Sequence, residues 1–370
     1  MLGWIKTLGN GTLPTRQTSM EYPGVEVELN PHIWGPNMRS YSTPIAFVFN
    51  QGGVGDYINW CSAIKWIHET YTQVDGRVYV SELFLRVAEY LFADYPRWKV
   101  IHRDKFPAAH ERGAPICNPA PSTQLINACG AHLMDLGYWF FSCVDPVPGT
   151  SIIVPDRLEM LEINYEGPWK WPELDPDSNF ALFTPGCTTE VREMPVKAFN
   201  EIVDYTIKKG ITPVFLGKRE LSENYEAKFL HYDLTRGVDL RERTDLIEAT
   251  QLMRKARFIL GLDNGLLHMA GTTDCPVIFG HNVAPATQRV LRRKKGITVD
   301  ITVSESELPC IGCQSKMRFM PNGHDFRKCF WKKYNPEKDR ICLVHLFKND
   351  SQAWKSAIDK VLAQTKGRKK

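Results

Sequence analysis

The chain lacks any apolar run near the roughly 18 to 20 residues that a membrane-crossing helix needs, which excludes a helical membrane protein. Its first residues, Met1-Leu2-Gly3-Trp4-Ile5-Lys6, are too poor in apolar side chains for the central region of a signal peptide, so export is not expected. Cysteine is sparse, 10 in 370 residues and mostly without close spacing, which excludes a disulfide-stapled scaffold. Buried free thiols in a reducing compartment fit better, and the expected location is cytoplasmic. No internal repeat is visible, which excludes a solenoid. Acidic residues are scarce near the C-terminus: from Ala286 to Lys370 there are 20 Lys and Arg against 8 Asp and Glu, leaving 26 against 34 before it. Such a basic segment is either a solvated face with a frayed tail or a surface that attracts a polyanion.

With 43% hydrophobic and 24% charged residues the chain has an ordinary globular composition, and its length predicts two domains. Residues 1–43, rich in Gly, Pro, Asn and Thr, are expected to be an irregular N-terminal extension. Order is predicted to begin at the buried-strand run Ile45-Ala46-Phe47-Val48-Phe49. A helix then presents Tyr57, Trp60, Ile64, Ile67 and Tyr71 on one face. Strands at Arg77–Val80 and Trp98–Ile101, with a helix near Leu83–Phe92 between them, complete a strand-helix alternation that implies a parallel sheet. A first domain over 44–170 follows from this pattern.

The proline-rich stretch 167–177 is the predicted linker, and a second alternation restarts at Phe180-Ala181-Leu182-Phe183. Pro195 is expected at a helix start, with Phe199, Ile202 and Val203 on its buried face and Gly210 at its end. Asp245 and Glu248 read as a capping box before a helix to Lys255, followed by strands at Phe258 and at Pro276–Phe279. The second domain spans 178–347 and includes a Cys-rich basic segment, 308–345. A closing helix carrying Trp354, Ile358, Val361 and Leu362, with a basic tail, occupies 350–370. The predicted fold class is α/β.

Two strand-to-helix turns carry the candidate chemistry. Leu262-Asp263-Asn264-Gly265, running on to His268 and Ala270, puts a carboxylate, a permissive glycine and helix-start N–H groups at one place, a combination suited to phosphate and sugar. Upstream, Asn50-Gln51-Gly52-Gly53-Val54-Gly55-Asp56 does the same. Asp56 reads either as a general base in a cleft or as a helix N-terminal cap. Thr188 and Arg192 read either as ligands for a diphosphate or as a capped helix start beside an exposed arginine. Glu220 reads as a contact to a ribose or as a surface carboxylate, and His268 as a ligand or a satisfied core residue. Cys310, Cys313, Cys329 and Cys342, the first two at C-x-x-C spacing, supply four thiolates for a structural zinc or are simply buried thiols.

These motifs together resemble the heptosyltransferase family of glycosyltransferases. The matching residues are Gly55-Asp56; Pro185-Gly186-Cys187-Thr188-Thr189 with Arg192 and Met194-Pro195; Val238-Asp239-Leu240 with Thr244 and Leu246; and Asp263-Asn264-Gly265 with His268 and Ala270. Arg192-Glu193-Met194-Pro195 departs from the lysine before Trp-Pro usual in the family, and Glu242 stands where a glycine or small residue is usual. The resemblance implies two Rossmann-like domains facing each other across a cleft, the glycosyltransferase-B architecture. It also implies a closing helix that packs back across the lobes, and a Cys-x-x-Cys with later cysteines after the donor lobe.

The implied activity is an inverting glycosyltransferase using a nucleotide-diphosphate sugar without a catalytic metal. Asp56 is its base, and Gly55, Thr188, Arg192, Glu220, Asp263, Asn264, Gly265 and His268 are its donor-binding residues. The implied acceptor is a saccharide of lipopolysaccharide-core type on a phosphorylated glycolipid, met at the inner membrane surface. Two other readings remain open. A basic segment also suits nucleic acid, so the acceptor class extends to hydroxymethylated bases in viral DNA within an infected host cell. A non-catalytic nucleotide-binding or zinc-ribbon adaptor is the third.

Overall fold

A computed structural model describes residues 17–18, 26–27, 45–49, 53–72, 74–106, 116–117, 134, 158–187, 190–218, 232–313 and 341–365. The chain divides into two units, Met1–Leu161 and Glu162–Lys370.

In the first unit, β1 (Gln17–Thr18) and β2 (Glu26–Val27) pair antiparallel, a small ordered element inside the stretch expected to be irregular. The main sheet comprises β3 (Ile45–Val48), β4 (Gly76–Val80), β5 (Trp98–His102) and β6 (Ile116–Cys117), with α1 (Val54–Thr70) after β3 and α2 (Glu82–Leu91) after β4. All its pairings are parallel, in the order β5-β4-β3-β6. The unbroken apolar run of β3 is buried throughout, as a parallel strand covered on both faces requires. Helix α1 differs from the amphipathic expectation: Ile58, Asn59, Cys61, Ser62 and Ala63 are buried along with Tyr57, Trp60, Ile64 and Ile67. It is an interior helix, hydrophobic on more than one side. Phe49 stacks on Tyr57 at 5.1 Å, and Tyr57 meets Phe84 of α2 edge-on at 5.2 Å.

The second unit holds β7 (Phe180–Thr184), α3 (Val196–Lys208), β8 (Thr212–Phe215), β9 (Val238–Asp239), α4 (Leu246–Lys255), β10 (Ile259–Leu262), α5 (Gly265–Ala270), β11 (Val277–Gly280), α6 (Ala286–Arg289) and β12 (Thr298–Ile301), then α7 (Ile341–Leu346) and α8 (Lys348–Gln364). Its six parallel strands are ordered β12-β11-β10-β7-β8-β9. Numbered within the unit from the β9 edge, this is 3-2-1-4-5-6, the dinucleotide-binding arrangement, whose strand order reverses between β7 and β10. Phe183, Phe199, Phe215 and Phe258 pack ring to ring at the centre of the core.

The predicted punctuation is present. Asp245 Oδ1 accepts from the Glu248 N–H at 2.7 Å while Glu248 Oε2 accepts from the Asp245 N–H at 3.1 Å. Gly210, with φ +71°, follows α3. Pro195 is the N-cap of α3, one residue before the helical position expected for it. Glu242 has φ +60°, which explains why glycine suits that position: any side chain there holds a left-handed backbone.

The division between the units falls before the proline-rich stretch. The stretch 167–177 lies inside the second unit because its aromatic residues pack there. Trp171 and Leu174 are buried, and the Trp169 indole N–H donates to the carbonyls of Trp171 (3.0 Å) and Leu174 (2.6 Å). Helix α8 buries Trp354, Ile358 and Val361 in the core of the second unit, against α3, β11 and β12. Its first turn is broken at Asn349, Asp350 and Ser351, all at positive φ. No helix among the described residues is long and apolar enough to cross a membrane.

Candidate functional site

The carboxyl ends of β7 and β10 lie side by side, with Gly261 in register with Thr184. A Cβ on Gly261 would overlap the Thr184 hydroxyl, so glycine there opens the space that the hydroxyl fills. That hydroxyl donates to the Leu260 carbonyl at 3.2 Å and accepts from Asn264 Nδ2 at 3.0 Å. Asn264 Nδ2 also donates to the Leu262 carbonyl, and Oδ1 accepts from the N–H groups of Leu266 (3.0 Å) and Leu267 (3.2 Å). Asn264 is thus the N-cap of α5. Gly265 is the first residue of that short helix, half-buried beside it.

Asp263 sits at the strand-order reversal, and its carboxylate is buried. Oδ1 lies 3.0 Å from His268 Nε2; Oδ2 lies 3.6 Å from Arg192 Nη1 and 4.0 Å from Arg289 Nε. Burial acts to raise its pKa. The Arg192 guanidinium, the hydrogen bond from His268 and then Arg289 act against it and hold the carboxyl well below the usual range. The carboxylate is therefore a fixed anion that orients two guanidiniums and one imidazole. His268 is buried as well, edge-on to Phe279 at 5.4 Å.

Arg192 reaches this point from the short 3-10 turn Glu190–Arg192 after β7. Its loop is tied down by the Met194 N–H donating to the Pro185 carbonyl at 3.1 Å and by the Tyr232 hydroxyl donating to the Met194 carbonyl. The Cys187 thiol lies 3.6 Å from the Asp263 carbonyl, so the loop and Asp263 are in contact. The Arg192 side chain keeps 17% of its surface exposed against 5% for Asp263, so of the pair it is the group that can meet a ligand. Thr188 and Glu220 lie outside the described residues.

Arg289, on α6, was not among the residues singled out from the sequence. Nothing in its one-turn helix marks it; only the return of the chain after β11 brings it to Asp263. Within the basic run 292–295, half-buried Arg293 is tied to the fold, donating to the Cys275 carbonyl at 2.6 Å and to the Ile297 carbonyl, while exposed Lys295 pairs with Glu162 at 3.5 Å. The expected basic face is reduced accordingly.

In the first unit, Gly55 and Asp56 stand in the first turn of α1, after β3, where the order of that sheet also reverses. Asp56 Oδ2 accepts from the Gly53 N–H at 2.8 Å, so it is a capping residue at the third helical position. Its side chain is half-buried. The adjacent Tyr57 phenol has its pKa raised, by burial first and by the Asp56 charge in addition, against the lowering effect of Arg103.

Three of the four singled-out cysteines are described. Asn282 relates them: its carbonyl accepts from the Gly312 N–H at 2.8 Å, between Cys310 and Cys313, and its Nδ2 donates to Cys342 Sγ at 3.7 Å and to the Val191 carbonyl at 2.5 Å. Gly312 has φ +68°, a turn that glycine makes without strain. Among the described residues no three of His, Cys, Asp and Glu are grouped closely enough to hold a metal ion, and Cys329 lies outside them.

Comparison with known proteins places these features. Residues 169–320 match the family described as glycosyltransferase family 9 (heptosyltransferase). No curated protein sequence matches the chain. Among solved structures it is similar to the dodecameric iron-containing heptosyltransferase TibC of enterotoxigenic E. coli in complex with ADP-D-beta-D-heptose, at TM-score 0.67 and 15% identity over 94% of this chain and 81% of that one. It is also similar to E. coli ADP-heptose lps heptosyltransferase II, at TM-score 0.53 and 12% identity over 87% of this chain and 100% of that one. A glycosyl transferase family 9 structure from Veillonella parvula gives TM-score 0.54 and 12% identity, over 87% of this chain and 97% of that one. Residues 169–320 of the second unit thus match glycosyltransferase family 9, and the chain has the α/β fold of the solved heptosyltransferases.

Proposed function

We propose that the protein transfers a sugar, with inversion, from a nucleotide-diphosphate sugar of the ADP-heptose kind to a saccharide hydroxyl of lipopolysaccharide-core type. The observation that carries this reading is a guanidinium, Arg192, fixed by a buried anion where the strand order reverses, inside the segment that carries the family match. In parallel sheets that edge is where nucleotide ligands bind, and a planar guanidinium is suited to a diphosphate. Asp56 takes the acceptor proton. The acceptor oxygen then forms a bond to the anomeric carbon as the bond from that carbon to the phosphate oxygen breaks, and the nucleotide diphosphate leaves with its charge stabilised by Arg192. With a guanidinium in that role the step has no need of a catalytic divalent ion.

The test is release of ADP from ADP-heptose in the presence of a saccharide acceptor and EDTA. Arg192→Gln should lower kcat/KM by about 10²-fold, in the range that loss of one charge-stabilising donor costs. Absence of turnover by the wild type with every nucleotide sugar tried would favour the non-catalytic adaptor instead.

The cysteines support a separate, structural proposal. We propose that Cys310, Cys313 and Cys342, which Asn282 relates, bind a structural zinc or iron together with Cys329; because the described three are not grouped closely enough to hold an ion as they stand, the metal would have to draw them together. A metal bound there would fasten this turn to α7 and add binding free energy to folding. Elemental analysis should find stoichiometric metal in the wild type and none after Cys310→Ser with Cys313→Ser. Metal-free wild type with reactive thiols would overturn the proposal.

A further inference from the structure

At the amino edge of the second unit's sheet, the opposite end from Asp263, there is a cavity of about 630 Å³, well within the range of small-molecule sites. Its wall at 162–166 is held in place. The Ile163 N–H donates to the Thr272 carbonyl at 2.8 Å, and Arg254 donates to the Ile163 carbonyl and to Asn164 Oδ1 at 2.6 Å. Arg257 is equally constrained, because its N–H donates to the Phe180 carbonyl at 2.8 Å in the short link between α4 and β10.

The charges in this cavity do not cancel pairwise. Lys295 and Glu162 face each other at 3.5 Å, and Lys255 lies 3.5 Å from Asp177. Neither guanidinium has a carboxylate within ion-pair distance among the described residues, although Glu166 and Asp274 also line the cavity. Arg254 is bonded only to neutral oxygens, and its buried Nε has no partner. Arg257 makes no side-chain hydrogen bond or ion pair among the described residues, although it is half-buried. A partly desolvated cation without a counter-charge is costly, and a bound anion removes that cost.

We propose that this cavity binds a small phosphorylated polyol, its phosphate held by Arg254 and Arg257 and its hydroxyls by Glu166 and Asp274. Two forked donors facing one opening suit a tetrahedral oxyanion, and the carboxylates on the rim accept from hydroxyl groups. This site is distinct from the proposed donor site and does not depend on that reading.

Isothermal titration at low ionic strength tests it with a hexose 6-phosphate, inorganic phosphate and the uncharged hexose. The hexose phosphate should bind and the hexose should not. Arg257→Gln should weaken binding at least tenfold without changing the rate of sugar transfer, and Arg257→Lys should lie between that variant and the wild type. Arg192→Gln should leave binding intact. Equal affinity for inorganic phosphate would identify free phosphate as the occupant, and tighter binding of the hexose phosphate would identify the polyol ester; both support an oxyanion site. Absence of binding to the wild type, undiminished binding to Arg257→Gln, or loss only on Arg192→Gln would overturn it.

Discussion

Asp56→Asn is expected to lower kcat by about 10² to 10⁴-fold, the usual contribution of a positioned general base. Asparagine is the informative replacement because its amide oxygen can still accept the Gly53 N–H that Asp56 Oδ2 accepts at 2.8 Å. The cap on α1 therefore survives, and the change in stability should stay below about 1 kcal/mol. What disappears is the ability to take a proton. Rates of ADP release compared with melting curves separate the two roles: lost turnover in a fully folded variant assigns Asp56 to catalysis. Unchanged turnover would leave it a capping residue and nothing more.

Removing the charge of Asp263 should have the largest effect on stability. Asp263→Asn leaves Arg192 and Arg289 facing a neutral group in a buried setting, and breaking such a pairing costs about 3 to 5 kcal/mol. Urea unfolding of wild type and variant measures the difference. Its pH dependence has a defined sign. Because the folded carboxyl titrates well below the unfolded one, its contribution is complete above the unfolded pKa of about 3.9 and is lost as pH falls from there toward the folded value. The gap between wild type and variant should thus be constant at neutral pH and narrow in acid below about pH 4. A gap that stays flat down to pH 2 would show that the carboxyl is not held ionised by its neighbours.

Local chemistry is what the sequence made legible. The strand ending before Asp263, the Asp245 and Glu248 capping box and the Gly210 helix end all follow from residues within a few positions of one another. The short strand β6 was not legible, because two residues carry no period and only pairing with Ala46 and Phe47 makes them a strand. Nor was the packing of 167–177: proline argues for a break, while the burial of Trp171 depends on a surface supplied elsewhere in the chain. At the site, Asp263 follows from the strand-to-helix turn and His268 from the family resemblance, yet their bond, and Arg289 beside it, depend on tertiary placement. The capping bonds of Asn264 are local, to N–H groups two and three residues on.

The adjacency of β7 and β10 has a consequence for synthesis. The residues in register, Leu182 with Ile259 and Thr184 with Gly261, are separated by the whole of α3, β8, β9 and α4. A ribosome must therefore release nearly half of the second unit before the first contact of the site can form. A nascent or truncated chain ending before Ile259 carries Arg192 without the Asp263 carboxylate that holds it in the complete fold.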